Sequence, residues 1–370
     1  MVTPLCPYFG SCGGCTAQHI DYALQVDNKK KQLQSMMKRE DVKVFFDKEY
    51  GYRNRMDFIF HRNGLGLRKK GQWDSIIPIH NCVIAEEKIN SIVQEIELFF
   101  KDCDAFDVRK HSGTFRYAVI RSSPMDSSLS FVLNSDSARL QEAIEKIKAF
   151  SEHCSAHNIV VTYVAAHSDV STSSDYFVVK GKDFLQTSFR AKTFFYPIQG
   201  FFQNNHAMAE KMQNYVSELL QVYETKDAML LDLYGGVGTF GIVNADSFKK
   251  VLIIESVKES IDFAKRNAEE NHCTNTEAMV LDAKHIARLT LKKPLFVITD
   301  PPRAGMDKKT ISLLNQEKPA RIIYISCNPQ QMAKDVLKFR NYFIHSIALF
   351  DLFPQTPHSE AIVELVLKNT

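Results

Sequence analysis

The feature that most constrains this fold lies after residue 195, where short apolar runs alternate with helical stretches. Strand-like runs over 229–233, 251–255, 279–281, 295–299, 321–326 and 361–367 follow a helical stretch over 204–222. Their separations suit βαβ units, because two parallel strands need a crossover of a dozen or more residues. A chain with this rhythm is expected to fold as an α/β, doubly wound (Rossmann-like) sheet that takes ligands at the carboxyl ends of its strands.

The first half reads differently. Residues 1–15 are rich in Cys, Gly and Pro and cannot pack a core of their own. A basic helix over 22–37 follows, carrying Lys29, Lys30 and Lys31, with Lys38 and Arg39 just beyond it. From Tyr52 the pattern becomes strand-like, with Met56, Phe58 and Phe60 on one face and Asn63-Gly64 as a hairpin turn signal. Further strand-like runs at 117–121, 130–133, 159–164 and 176–179, with helical patterns over 85–100 and 138–150, indicate an α+β domain with a largely antiparallel sheet. The expected division is therefore residues 1–194 and 195–370.

At 45 % hydrophobic and 24 % charged, the composition is that of a globular protein, and no run suits a membrane span. The first residues have neither the basic head nor the apolar run of a secretory signal, so a cytoplasmic location is expected, where thiols stay reduced. Clustered cysteines then point to metal ligation or catalysis rather than disulfides. Cys6, Cys12 and Cys15 form a C-x5-C-x2-C loop, and Cys82 is a distant fourth. Four thiolates suit either zinc or an iron–sulfur cluster, and spacing alone does not choose between them.

The run from Leu230 to Gly241 reads as strand, glycine turn and helix start. Gly236, Gly238 and Gly241 also fit the dinucleotide spacing, so the turn by itself does not distinguish NAD from S-adenosylmethionine. Glu255, at the tip of the next strand, is placed to accept hydrogen bonds from ribose hydroxyls. Asp282, ending a third strand, is placed to reach an adenine amino group. The fourth runs into Asp300-Pro-Pro-Arg303, whose prolines fix an extended loop that would hold Asp300 over the cleft.

Cys327 ends the next strand within Ser326-Cys-Asn-Pro329, and Glu360 is the last polar residue before the final apolar run. A strand-end cysteine beside a cofactor turn is a candidate nucleophile. A carboxylate at the same rim can act as general base if desolvation raises its pKa. These two groups are the minimum set for methylating carbon 5 of uracil. Thiolate addition at carbon 6 puts electron density on carbon 5, and after methyl transfer a base must remove the carbon 5 hydrogen.

Taken together, Gly200-Phe-Phe-Gln203, the run from Asp232 to Phe240, Asp300–Arg303, Ser326–Pro329 and His358-Ser-Glu360 resemble the RNA (uracil-5-)-methyltransferase family. The resemblance implies S-adenosylmethionine as methyl donor, Cys327 as nucleophile, Glu360 as base, and a cofactor and base pocket lined by Gln203, Tyr234, Gly236, Gly238, Thr239, Glu255, Asp282 and Asp300. One departure is Gly235, where many relatives have cysteine. It further implies a [4Fe-4S] cluster on Cys6, Cys12, Cys15 and Cys82, acting as a structural staple.

Arg53, Arg55, Arg62, Arg68, Lys69 and Lys70 crowd the hairpin over 52–71, interleaved with Tyr52, Phe58 and Phe60. They are expected to bind RNA phosphates while the rings stack on unpaired bases. With the cysteine loop starting at residue 6, the family's N-terminal RNA-binding β-barrel is expected to be absent, leaving the grip to the hairpin and the basic helix. The cysteine loop without a barrel implies 23S ribosomal RNA as substrate, with transfer RNA as the alternative. A monomer with no membrane association and no obligate protein partner is expected.

Overall fold

A computed structural model describes residues 2–62 and 64–368, folded in two compact units. The first comprises Met1–Tyr22, Lys48–Thr187 and Pro197–His206, and the second Ala23–Asp47, Ser188–Tyr196 and Ala207–Thr370. These units exchange three segments across a single cut between 194 and 195: 23–47, with the basic helix, and 188–194 belong with the second unit, and 197–206 with the first.

In the first unit a seven-stranded sheet runs in the order Gln72–Pro78, Gly64–Lys69, Arg55–His61, Phe115–Ser122, Ser127–Asn134, Asn158–Val164, Tyr176–Lys180. All its pairs are antiparallel except Ser127–Asn134 with Asn158–Val164, which are joined through helix Leu140–Ser151. Phe60, Phe100, Phe115, Phe131 and Phe150 meet at centroid separations of 5.1–6.0 Å in the core. Along Arg55–His61 burial alternates residue by residue, as the period of two requires, so Met56, Phe58 and Phe60 point inward. Asn63 lies outside the described residues. Gly64 beside it has φ +138°.

The second unit begins with α1 (Tyr22–Met37) and β1 (Val42–Phe45) and continues with α2 (His206–Gln221). Then come β2 (Met229–Leu233), α3 (Thr239–Val243), β3 (Lys250–Glu255), α4 (Lys258–Glu270) and β4 (Thr276–Val280). The chain closes with β5 (Leu295–Thr299), α5 (Lys308–Glu317), β6 (Arg321–Ser326), α6 (Pro329–Val336), β7 (Tyr342–Phe350) and β8 (Glu360–Leu367). They form one eight-stranded sheet in the order β1-β7-β8-β6-β5-β2-β3-β4. Every strand is parallel to its neighbours except β8, which runs antiparallel between β6 and β7. The sheet switches direction from β2, which lies between β3 and β5, and that is where a doubly wound fold opens a crevice. Strands β1 and β7 escape simple pattern reading, since each is short or interrupted by polar residues (Lys43; His345, Ser346).

Helix α1 buries Gln25, Val26, Lys29, Leu33 and Met37, a stripe at helical spacing. Leu33 and Met37 join the core formed by Leu231, Leu349 and Val363. Among the described residues no helix is long and apolar enough to cross a membrane. Because Leu33 is almost fully enclosed, Leu33→Ala should destabilise this unit by about 2–5 kcal/mol, read as a lowered denaturant midpoint with unchanged slope.

Candidate active site

The parallel order brings five predicted residues to one edge of the second unit. Tyr234 follows β2, Glu255 ends β3, Asp282 follows β4, Asp300 follows β5 and Cys327 follows β6. The turn after β2 needs left-handed backbone at Tyr234 (φ +58°), Gly236 (+54°) and Gly238 (+86°). Asp232 secures it from below, accepting from Gly241 N at 2.8 Å. This carboxyl is only 1 % exposed, and burial pushes it up to about 7. Glu255 accepts from Gly236 N at 3.3 Å through one oxygen, and from Ser256 N and Val257 N at 2.6 and 2.9 Å through the other. It thus joins the glycine turn to the β3 tip. Thr239 opens α3 directly after Gly238. Asp282 caps a 3-10 turn through Lys284 N and pairs with the Lys284 ammonium at 2.7 Å, which holds its carboxyl below the ordinary range. Tyr234 is half-buried against the core cluster rather than standing free in the crevice.

Asp300 keeps some accessible surface, yet the surrounding protein pushes its carboxyl up to about 7 by desolvation. The loop after it is tied to the Cys327 segment in two places. Asn328 Nδ2 donates to Arg303 O at 2.9 Å. Asp335, fully buried on α6, accepts from Met306 N (3.2 Å), Tyr324 Oη (2.9 Å), Gln331 Nε2 (3.0 Å) and the Lys338 ammonium (2.7 Å). Gly305, at φ +83°, permits this approach, since a Cβ there would lie 2.4 Å from Asp335 Oδ2.

Glu360 arrives from the opposite direction. In the register of β6 with β8, Ser326 opposes Ala361, so the next residues outward are Cys327 and Glu360. Cys327 is half-buried. Its thiol is pushed up to about 11 by burial, then by the Glu360 and Asp300 carboxylates, with Arg303 acting the other way. Glu360 is only 4 % exposed, and burial followed by the Asp300 charge raises its carboxyl well above the ordinary range. A cavity of about 310 Å³ beside Cys327 is lined by Lys29, Leu33, Arg303, His358 and Ser359 among others. Arg303 and Lys29 were not singled out from sequence. Arg303 was visible in the acid-Pro-Pro-Arg motif, whereas Lys29 carried no signal beyond the basic run.

Gln203 lies in the first unit, where its carbonyl accepts from Asn54 Nδ2 at 3.2 Å. In that unit Cys6, Cys12, Cys15 and Cys82 line one cavity of about 690 Å³ together with Arg53, Arg55 and other residues. The loop is fastened to the sheet by a Cys12–Lys69 bridge and by Lys70 N donating to Ser11 O at 2.8 Å. Burial pushes the Cys15 thiol up to about 11, opposed by a hydrogen bond with Gln18 and helped by the neighbouring Cys82, Cys6 and Cys12. Among the described residues no three Cys, His, Asp or Glu side chains converge closely enough to hold one metal ion. The four thiols line this shared space without closing on a single ion.

The hairpin is also less of an RNA surface than expected. Tyr52, Phe58 and Phe60 are core residues and cannot stack on bases. Arg55 pairs with Asp57 at 2.9 Å, and Arg68 pairs with Asp169 at 2.9 Å. Arg53 donates to Arg55 O at 3.0 Å. Arg62, Lys69 and Lys70 are exposed, as is Trp73, an aromatic that the sequence reading passed over. Lys29 of the basic helix is buried.

The thiol shift has a direct consequence. Because the thiolate is the reactive form, alkylation of Cys327 by iodoacetamide should rise about tenfold per pH unit from pH 7 to 9, followed by peptide mass mapping. A plateau by pH 8 would show a thiol far more acidic than this environment makes it. Arg303→Ala should slow the reaction further.

Comparison with known proteins agrees with this architecture. Residues 21–368 match the family model described as tRNA (Uracil-5-)-methyltransferase. The chain is 32% identical over 367 residues to a tRNA (uracil(54)-C(5))-methyltransferase of Pyrococcus abyssi, covering 99% of this chain and 86% of the relative. An uncharacterized RNA methyltransferase of Caldanaerobacter subterraneus is 30% identical, over 96% of this chain and 83% of its own. The crystal structure of the Pyrococcus abyssi enzyme in complex with S-adenosyl-L-homocysteine superposes with a TM-score of 0.81 at 29% identity, over 96% of this chain and 86% of that one. The Pyrococcus abyssi relative and a second one, from Pyrococcus furiosus, are named for transfer RNA, which runs against the expected ribosomal RNA branch. The chain therefore belongs to the tRNA (uracil-5-)-methyltransferase family.

Proposed function

We propose that this protein methylates carbon 5 of a uridine in transfer RNA, at the position equivalent to 54, using S-adenosylmethionine. The observation that carries the chemistry is the meeting of Cys327 and Glu360 at the paired ends of β6 and β8. The choice of transfer RNA rests on the named relatives, at 30–32% identity over nearly the whole chain.

The donor supplies an electrophilic methyl group, and the residues at the carboxyl edge of the sheet would hold it. In this reading the turn at Gly236, Gly238 and Thr239 admits its amino-acid end, Glu255 takes the ribose, and Asp282 the adenine. Tyr234 and Asp300 complete the pocket by resemblance.

The reaction on the base belongs to two side chains. Cys327 loses its proton to water at its exposed side, and its Sγ bonds to carbon 6 of the uracil. The π electrons of the carbon 5–carbon 6 bond move to carbon 5 and the carbon 4 oxygen. Carbon 5 then takes the methyl group as its bond to the donor's sulfur breaks, leaving that sulfur as a neutral thioether. Glu360 removes the remaining hydrogen on carbon 5 as a proton, the double bond re-forms, and the Sγ–carbon 6 bond breaks to return the thiolate. Desolvation suits Glu360 to this step, because a carboxylate whose pKa is raised is a stronger base. Arg62, Lys69 and Lys70 are proposed contacts for RNA phosphates. Cys6, Cys12, Cys15 and Cys82 are proposed ligands of a [4Fe-4S] cluster that staples the N-terminal loop.

Cys327→Ala should abolish methyl transfer to transfer RNA transcripts. Glu360→Gln should instead trap an adduct that survives denaturing electrophoresis. Methylation of purified 23S ribosomal RNA and not of transfer RNA, scored by nucleoside mass spectrometry, would reverse the substrate assignment. Protein purified anaerobically should contain about four irons and four acid-labile sulfides per chain, reduced by Cys12→Ser. Zinc alone, or no metal, would remove the cluster.

A further inference from the structure

Two residues of α1 form a buried clamp on the loop that delivers the base. Gln25 and Lys29 stand one helical turn apart on the inward stripe of the helix, 4 % and 5 % exposed. The Lys29 ammonium sits 2.7 Å from Asp351 Oδ1 and donates to Phe353 O at 3.2 Å. Gln25 Nε2 donates to Gln355 Oε1 at 3.0 Å, and Gln355 N donates back to Gln25 Oε1 at 3.1 Å. Asp351 is fully buried, and Gln355 has left-handed backbone at φ +66°, uncommon for a residue with a side chain.

All these partners fall in one segment. Phe350 pairs with Glu360 at the loop end of the β7–β8 hairpin, so residues 351–359 form the loop between them. Within this nine-residue loop Thr356 N donates to Phe353 O at 3.3 Å and His358 N to Thr356 Oγ1 at 3.2 Å, while Asp351 N donates to Phe45 O at 2.9 Å. The clamp ties the loop to α1, with four further hydrogen bonds in the loop's first half. Its second half, Pro357 to Ser359, then lines the cavity beside Cys327, facing Lys29 and Leu33. A solvated surface would not require burial of a lysine. Removing its charge from water is costly, and the cost is recovered only by the fixed partner it finds.

We infer that Gln25 and Lys29 are positioning residues, which hold the 351–359 loop over the active site so that Glu360 is kept dry and aimed at the carbon 5 proton. The inference rests on the proposed role of Glu360 as base. It predicts that loosening the clamp impairs resolution of the RNA adduct more than its formation.

The test compares Gln25→Ala, the double variant K29M/D351L and Glu360→Gln, each as full-length protein with transfer RNA and S-adenosylmethionine. The double variant removes both charges, so no unpaired ion is left inside. Q25A removes only neutral hydrogen bonds and serves if the double variant does not fold. The readouts are kcat, KM for RNA and the denaturation-resistant adduct at steady state. The expected result is a kcat at least fivefold lower, KM changed less than twofold, and adduct accumulating above the wild-type level. If E360Q accumulates adduct and folded Q25A does not, the clamp is only structural and the inference fails. If E360Q also forms none, it is the assignment of the base that fails.

Discussion

The site depends on one reversal of strand direction. Seven strands of the second unit run parallel and deliver their carboxyl ends to one edge. Only β8 runs the other way, so it delivers its first residue, Glu360, to the place where β6 delivers the residue after its last, Cys327. A parallel strand in that slot would carry its starting residue to the far edge of the sheet. The nucleophile and base are thus brought side by side by the pairing of adjacent strands, and the loop that precedes Glu360 has only to keep it dry and aimed.

That arrangement concentrates acidity in a dry place. Asp232, Asp300 and Glu360 all have carboxyls raised by burial, and the charges of Asp300 and Glu360 raise the Cys327 thiol in turn. An isolated active-site thiol would react more readily if its pKa were depressed. Here the resting protein keeps it protonated, with Arg303 as the opposing influence. On the cationic side of the cavity, Arg303 offsets the carboxylates without entering the strand pairing. Asp335 serves the same end mechanically, binding the acid-Pro-Pro loop to β6 and α6 through four donors.

Much of this was legible in the sequence because strand ends are legible. Glu255, Asp300 and Cys327 close apolar runs that alternate with helices, and a parallel sheet turns that pattern into a shared edge. The adjacency of Glu360 was not legible in the same way, since it follows from strand order and direction, to which composition is blind. Lys29 was misread for a related reason. In a run of three lysines nothing marks the one whose partner lies 322 residues away. The hairpin aromatics were misassigned despite available information. A period of two separates Arg55 and Asp57 from Met56, Phe58 and Phe60, which sends the rings into the core while the charges stay at the surface. The thiols of the N-terminal loop were expected around one centre. They share a cavity without closing on a single ion, which spacing along the chain could not decide.

The most direct measurement is peptide mapping of the protein after incubation with S-adenosylmethionine and a transfer RNA transcript made with 5-fluorouridine. Fluorine at carbon 5 cannot leave as a proton, so the cycle halts with the base still attached. A methylated fluorouridine mass should appear on the peptide that contains Cys327 and on no other cysteine. Attachment at a different residue, or methyl transfer without any covalent adduct, would contradict the account.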